Sequence, residues 1–324
     1  MKAMWLSRGA RILVDRCARV RAGERVVIVT DSLLTHIAEA LAATCHDRGA
    51  DAVVAVMSPR RFDEEELPPP IAAAMAAADV VMTPTRMGTA HTEATRRALA
   101  AGARVLCMDQ FDDDLMTSGG IEADFEAQQP VCRRVEDAFT AADVAHVTSV
   151  GGTDIRLSLR GRRGNSHDCV LDRRGKFTAV PNIEANVSPV DGEGDGVIVF
   201  DGSLPHFGVG ILREPIRLQV EQGRVVKVEG GREAQILHDK WVAASDPNVY
   251  NIAQLAVGLN PMITRATGVM LNDHGVYGSV HFGIGTSTNL GGTTKAATHL
   301  DGILLRASIA LDGRSILRDG ELLI

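Results

Sequence analysis

The stretch RVVIVTDSLLTHIAEAL, residues 25–41, decides the fold of the first half of this chain. Its apolar run predicts a buried strand, Arg25–Thr30, and the side chains of Asp31 and Ser32 can cap a helix that follows. Similar apolar runs recur at Ala52–Met57, Val80–Thr83 and Arg104–Met108, with alanine-rich helical stretches between them. Strands and helices that alternate in this way are typical of a parallel sheet.

The turn after the first strand, Thr30-Asp31-Ser32-Leu33, contains no glycine. A turn that binds a nucleotide phosphate needs closely spaced glycines, so that backbone amides can approach the phosphate. We therefore predict a Rossmann-like α/β domain over residues 1–150 that binds no nucleotide cofactor.

The pattern of apolar runs and turn residues changes at Gly151-Gly152. Beyond this point one helical piece is predicted at about residues 233–257, and an α+β domain rich in antiparallel sheet over residues 151–324. Its short alternating strands, broken by Gly, Asp and Asn turns, are predicted at Asp154–Leu159, Val197–Phe200, Ile216–Val220 and Arg224–Val228.

Length and composition agree with two folded domains. The chain has 324 residues, 45% of them hydrophobic and 23% charged, with a net charge of −7 and no basic stripe, which argues against nucleic acid as a partner. Arginines interrupt the opening apolar residues and no long apolar run follows, so we expect a cytoplasmic protein without a membrane partner. The five cysteines are widely spaced, which predicts buried free thiols.

Metal-binding residue types concentrate near the C-terminus. His299 and Asp301 are two residues apart, so in a strand both side chains point to the same face. His281 lies in the preceding strand-like run, and the Gly/Thr/Asn-rich segment 285–298 can fold back and bring it beside His299. Two imidazoles and one carboxylate would then converge, a ligand set found in hydrolytic zinc sites and in non-haem iron oxygenases.

Other polar residues are candidates for the same chemistry. Glu184 lies in a proline-bracketed extended piece and should face solvent, a cation or a metal, because burial of an unpartnered carboxylate is unfavourable. His274 is interpreted as a turn residue, with a role beside a metal ligand as the alternative. Arg86 and His91 follow the third strand, where ligands bind in open α/β sheets, although a surface position is equally compatible. His167 precedes a basic run that we interpret as a solvated loop.

Several blocks of the second half occur in the order and spacing of a known family. The chain resembles the aminopeptidase T family of metalloaminopeptidases through the segments 181–189, 251–255, 258–261, 278–281, 291–292 and 299–302. The resemblance implies Glu184, His281, His299 and Asp301 as metal ligands, and a homodimer. Gln254 replaces the bridging glutamate of that family and Thr288 its tyrosine, so one tightly bound ion is expected instead of two.

The chain also resembles relatives of that family, the 2,5-dihydroxypyridine 5,6-dioxygenases, which hold a single Fe(II). Those enzymes share the His-x-Asp pair and the run at residues 246–250, and they carry a histidine where Gln254 stands. An active-site histidine of that group falls at the position of His91.

The main prediction is a metal-dependent hydrolase of an amide, peptide or related C–N bond, with Zn, Mn or Co and a small molecule or short peptide as substrate. Glu184 would be the fourth ligand or the general base, and Gln254 would donate to the oxyanion. The alternative is an Fe(II) ring-cleaving dioxygenase of a hydroxylated N-heterocycle, in which His281, His299 and Asp301 form the triad and His91 or His167 moves protons. Arg86, His167 and His274 are the predicted substrate-binding residues; other metal chemistry or mere ligand binding is the third possibility.

Overall fold

The computed structural model of the chain describes residues 2–324, and Met1 lies outside this part. Its α-helices are α1 Lys2–Arg11, α2 Thr35–Asp47, α3 Pro69–Ala77, α4 Glu93–Ala100, α5 Asp113–Thr117, α6 Phe125–Ala141, α7 Arg232–Ala244 and α8 Met270–Asp273. Its strands are β1 Arg25–Asp31, β2 Asp51–Met57, β3 Val80–Thr85, β4 Arg104–Asp109, β5 Val144–Ser149, β6 Asp154–Ser158, β7 Gly164–His167, β8 Phe177–Ala179, β9 Glu184–Val187, β10 Gly194–Phe200, β11 Ser203–Leu204, β12 Gly210–Ile211, β13 Ile216–Glu221, β14 Arg224–Glu229, β15 Ile252–Gly258, β16 Val280–Gly285, β17 His299–Leu304, β18 Ala307–Leu311, β19 Arg314–Arg318 and β20 Glu321–Leu322.

The described chain forms two compact units. The first unit contains the residues up to Ala127 together with His167–Asn182, and the second contains Gln128–Ser166 and Ile183–Ile324. The division into domains 1–150 and 151–324 stays a prediction.

The first unit is built on a parallel sheet, as the alternating pattern predicts. Its strand order is β2-β1-β3-β4-β8, and all four pairs of neighbouring strands are parallel. Strands β3 and β4 are buried at every position, as expected where both faces of a parallel sheet are covered. On one face, Val27 and Val29 of β1 belong to an apolar cluster with Ile71 and Met75 of α3.

Acidic side chains collect at the carboxyl ends of these strands. Asp109, the last residue of β4, accepts hydrogen bonds from the Thr89 and Ala90 amides at 2.9 and 3.3 Å. Glu64, in the segment after β2, accepts one from the His91 amide at 2.6 Å. These carboxylates therefore fix the segment that leads from β3 into α4.

Two of these carboxyl groups make stability depend on pH. Burial and the charge of Asp109 raise the pKa of Glu64 to about 8, and burial raises the pKa of Asp109 to about 6. The folded state thus keeps protons that the unfolded chain releases near pH 4, so this stabilisation is present below about pH 4 and is lost as the pH rises through about 6 to 8. We expect Glu64→Gln to raise the free energy of unfolding at about pH 8 by on the order of 1 kcal/mol and to flatten its pH dependence.

Urea unfolding at about pH 5 and about pH 8 measures this effect. Glu65→Gln is the matched control, because Glu65 pairs with Arg61 at 2.9 Å and its pKa is lowered by that hydrogen bond. Glu65→Gln should not raise the free energy of unfolding at about pH 8. Identical pH slopes for the wild type and Glu64→Gln would contradict the prediction.

The second unit is dominated by antiparallel sheets, which confirms the predicted α+β class. Eight strands form one sheet in the order β14-β13-β10-β6-β5-β18-β19-β20, and β11 pairs with β12 in a small ladder. A five-stranded sheet has the order β17-β16-β15-β9-β7, and its β9, β15, β16 and β17 are successively antiparallel.

The helix predicted over residues 233–257 is wrong in its second half. Helix α7 ends at Ala244, Ser245 adopts a left-handed conformation with φ of 51°, and Pro247 follows. All seven residues of β15 are buried, and a run buried at every position has no hydrophobic periodicity that separates a strand from a helix. Gln254 consequently lies on a central strand and not on a helix.

The five cysteines are buried and form no disulfide within residues 2–324, as their spacing predicts. None of the helices in this range combines the length and the apolarity that crossing a bilayer would require.

Candidate metal centre

One face of the five-stranded sheet gathers most of the predicted site residues. In the ladders, Gln254 lies opposite Gly283, and Gly283 lies opposite Asp301. Ala256 lies opposite both Asn186 and His281. Because side chains alternate between the two faces of a strand, Glu184, Gln254, His281, His299 and Asp301 share this face.

One end of the cluster is centred on Glu184. Its Oε2 lies 3.5 Å from Nε2 of His281. Its Oε1 accepts hydrogen bonds from the side-chain amides of Asn186 at 2.7 Å and Gln254 at 3.3 Å. Gln254 Nε2 is also 3.4 Å from His281 Nε2, so carboxylate, amide and imidazole form a close triangle. All of them are almost fully buried.

The other end is centred on Asp301. Its Oδ1 lies 3.2 Å from Nε2 of His299, whose Nδ1 donates to the Thr286 carbonyl at 2.8 Å. A histidine that donates through one ring nitrogen presents a lone pair at the other, as metal-binding histidines do. Burial alone would raise the pKa of Asp301, but the neighbouring His299 and His274 lower it well below its usual range.

His274 connects the two ends. It follows helix α8, and its ring stacks on that of His281 with the centroids 4.4 Å apart. Its Nε2 is 3.5 Å from Asp301 Oδ2, and Glu184, His274 and His281 each offer a ligand atom within 4.8 Å of the others. Burial lowers the pKa of His274 to about 4, so the ring is neutral at pH 7 and can donate a lone pair to a cation.

The loop between β16 and β17, residues 286–298, is held in place by Asp191. This carboxylate accepts hydrogen bonds from the hydroxyls of Thr294 at 2.6 Å and Thr293 at 2.9 Å, and pairs with Arg162 at 2.8 Å. Because the loop includes Thr286, these contacts also stabilise the carbonyl that orients His299.

The cluster fits a divalent cation. It combines three imidazoles with two carboxylates, and buried Nδ1 of His281 and Nε2 of His274 have no hydrogen-bond partner among the described residues. Buried polar atoms are normally paired, so such orphans indicate a missing partner. Two imidazoles and a carboxylate are the ligand set of non-haem ferrous sites.

Comparison with known proteins assigns the chain to a family. The model of the family described as NicX, 2,5-dihydroxypyridine 5,6-dioxygenase, matches residues 13–324. The chain belongs to the NicX family. A 2,5-dihydroxypyridine 5,6-dioxygenase of Pseudomonas putida KT2440 is 28% identical over 260 residues, which cover 76% of this chain and 72% of the relative.

Two solved structures share the fold of this NicX-family chain. The structure of the 2,5-dihydroxypyridine dioxygenase from Pseudomonas putida KT2440 superimposes with a TM-score of 0.82 at 21% identity, covering 98% of this chain and 96% of the other. Wild-type AmpT from Thermus thermophilus superimposes with a TM-score of 0.75 at 13% identity, covering 99% of each chain. The predicted resemblance to both groups is therefore confirmed, and the likeness to AmpT concerns the fold.

The predicted hydrolase function is wrong. The NicX family model extends over nearly the whole chain and the curated relative is a dioxygenase, so the chain is an enzyme of a dioxygenase family. The presence of Glu184 and His281 favoured the hydrolase over the dioxygenase, but these residue types occur in the metal sites of both kinds of enzyme.

The structure brings some predicted site residues together and leaves others in the first unit. Glu184, Gln254, His274, His281, His299 and Asp301 form the cluster described above. Arg86 follows β3, His91 precedes α4 and His167 ends β7 with its ring 5.9 Å from that of Phe177; their roles stay predictions. Thr288, at the place of the family's tyrosine, is exposed.

Sequence reasoning missed His206, whose Nε2 is 3.7 Å from Asp301 Oδ2. It is a lone histidine in a turn, about 70 residues from His274, and no spacing signal marks it. Asn186 was also missed as a partner of Glu184, although its position two residues along the same strand could have indicated it.

Proposed function

We propose that this chain is a non-haem Fe(II) dioxygenase that opens the ring of a small hydroxylated N-heterocycle, with 2,5-dihydroxypyridine as the candidate substrate. The observation that carries the proposal is the buried cluster of imidazoles and carboxylates on one sheet face in a NicX-family chain. This set of ligand types is that of ferrous oxygenases, in which two histidines and one carboxylate leave positions for substrate and dioxygen.

His281, His299 and Asp301 are the residues that we propose would hold the ion. The hydrogen bond from His299 Nδ1 to the Thr286 carbonyl supports this choice for His299. For His281 it is supported by a buried ring nitrogen, Nδ1, that has no hydrogen-bond partner among the described residues. His274 is the further imidazole within ligand distance of Glu184 and His281.

Ferrous iron held by His281, His299 and Asp301 would supply the redox chemistry that links substrate and dioxygen. Glu184 has the role of proton acceptor: Asn186 and Gln254 occupy its Oε1, and Oε2 is the oxygen that faces His281. A ring hydroxyl that loses its proton on binding can give it to this oxygen. The near-complete burial of Glu184 and His281 keeps water away from the reacting atoms.

The reaction balances without an external reductant. Cleavage between ring carbons 5 and 6 breaks one C–C bond, and both atoms of one dioxygen molecule enter the ring-opened product. Substrate is oxidised by four electrons and dioxygen is reduced by the same number. Arg86, His91 and His167 are proposed to bind substrate or move protons, as the sequence predicts.

Oxygen uptake tests this function. Anaerobically purified protein is expected to contain iron, and on addition of 2,5-dihydroxypyridine it should consume about one dioxygen per substrate, following the stoichiometry of a dioxygenase. A chelator should abolish the uptake, and Fe(II) but not Zn(II) should restore it, because zinc has no redox chemistry. Iron-loaded protein that consumes no oxygen with this or related hydroxypyridines would contradict the proposal.

A further inference from the structure

His206 is held on a rigid hairpin. It follows β11, its amide donates to the Leu204 carbonyl at 2.7 Å, and its carbonyl accepts from the Val209 amide at 3.0 Å. Phe207 has a φ of 56° and Gly208 one of 72°, so the chain turns back at once into β12. The backbone therefore fixes the direction from which this imidazole approaches.

Asp273 joins the hairpin to the segment that carries His274. It accepts a hydrogen bond from Ser203 Oγ at 2.6 Å and others from the Thr267 and Gly268 amides at 2.6 and 2.9 Å. Asp273 is fully buried and directly precedes His274. The carboxylate of Asp273 thus anchors the two segments whose histidines, His206 and His274, face Oδ2 of Asp301.

The two oxygens of Asp301 have different surroundings. Oδ1 faces His299 at 3.2 Å, while Oδ2 faces the Nε2 atoms of His274 at 3.5 Å and His206 at 3.7 Å. His274 also reaches Glu184 and His281, whereas His206 approaches the cluster at Asp301. Nε2 of His206 is buried and has no hydrogen-bond partner in the part of the chain that the structure describes.

We propose that His206 is a positioning residue that holds Asp301 to metal binding through one oxygen. If the ion is held beside His299 on the Oδ1 side, the unpartnered Nε2–H of His206, 3.7 Å from Oδ2, would donate to that oxygen and keep it from binding the ion as well. Groups that hydrogen-bond to metal ligands orient them in this way. The position that a two-oxygen carboxylate would occupy stays open for substrate. This inference rests on the proposed metal centre.

Cobalt(II) binding to the full chain tests the role without turnover. We expect His206→Leu to lower Co(II) affinity by about 10–100-fold, the usual effect of losing such a partner. The visible d–d bands of Co(II) bound to this variant should weaken, because binding through both oxygens of Asp301 raises the coordination number of the ion. His206→Gln keeps an N–H at a similar reach and should restore both affinity and spectrum.

The matched control is His238→Leu, which replaces a half-exposed histidine on α7 and should behave as wild type. Unchanged affinity and spectrum in His206→Leu, or a His206→Gln variant no better than leucine, would overturn the inference alone. Equal Co(II) affinities of the wild type and a His299→Ala variant would overturn the proposed metal centre itself. If the leucine variant does not fold, the glutamine variant decides: it must match the wild-type spectrum.

Discussion

Asp301→Asn is expected to remove tight metal binding and, with it, dioxygen consumption. Asp301 faces three imidazoles, from His206, His274 and His299, whereas Glu184 faces those of His274 and His281. Asparagine keeps the shape but carries no charge to balance a dication. Since the loss of a mere partner of a ligand costs about 10–100-fold in affinity, the loss of the ligand should cost more than about 100-fold.

Iron content after dialysis and dioxygen uptake are the two measurements for this variant. Asp239→Asn is the matched control, because the Asp239 side chain is 66% exposed on α7 and lies outside the cluster. It should retain iron and activity at the wild-type level. If Asp301→Asn kept its iron through dialysis, Asp301 would not be a ligand.

The second large effect is expected from Gly283→Ala. Gly283 lies on β16 between Gln254 and Asp301, and a Cβ there would be 2.6 Å from His299 Cε1, 2.7 Å from His299 Nε2 and 2.8 Å from Gln254 Cβ. The imidazole of His299 therefore occupies the space that a side chain would need. We expect the methyl group to displace His299 and to lower metal affinity by at least about 10-fold, as when a group that orients a metal ligand is lost. Overpacking should also lower the free energy of unfolding by about 1–3 kcal/mol.

Gly161→Ala separates the two parts of this effect. Gly161 lies in a turn with a φ of 71°, and an added Cβ would meet no atom within 4 Å, so alanine costs stability through the backbone alone. It should lower the free energy of unfolding by about 1 kcal/mol while metal affinity stays unchanged. Equal metal affinity in Gly283→Ala and Gly161→Ala would show that Gly283 has no special relation to the site.

Local patterns were sufficient to predict the parallel sheet and the position of the His-x-Asp pair. The strands β1 to β4 have short apolar runs bounded by turn residues, and His299 and Asp301 required only the two-residue period of a strand. The interior of the second unit's five-stranded sheet was harder to predict, because the uniformly buried strand β15 was assigned to a helix. Its burial comes from neighbours distant in sequence, which no local window contains.

The contributions of His206 and His274 depended on tertiary structure. Each lies in a turn, and only the anchoring of both turns by Asp273 aims them at Asp301. The ligand types also could not distinguish a hydrolase from a dioxygenase, since carboxylates and imidazoles bind the metal in both. The family match over residues 13–324 supplied that distinction.

The order of the site strands along the chain has a consequence for biosynthesis. Glu184 is on β9, whereas His299 and Asp301 are on β17, near the C-terminus. A chain that still lacks β17 has no partner for one edge of β16 and lacks two of the residues proposed to hold the ion. The proposed metal centre would therefore be complete only after β17, the last strand of its five-stranded sheet in chain order, has been made.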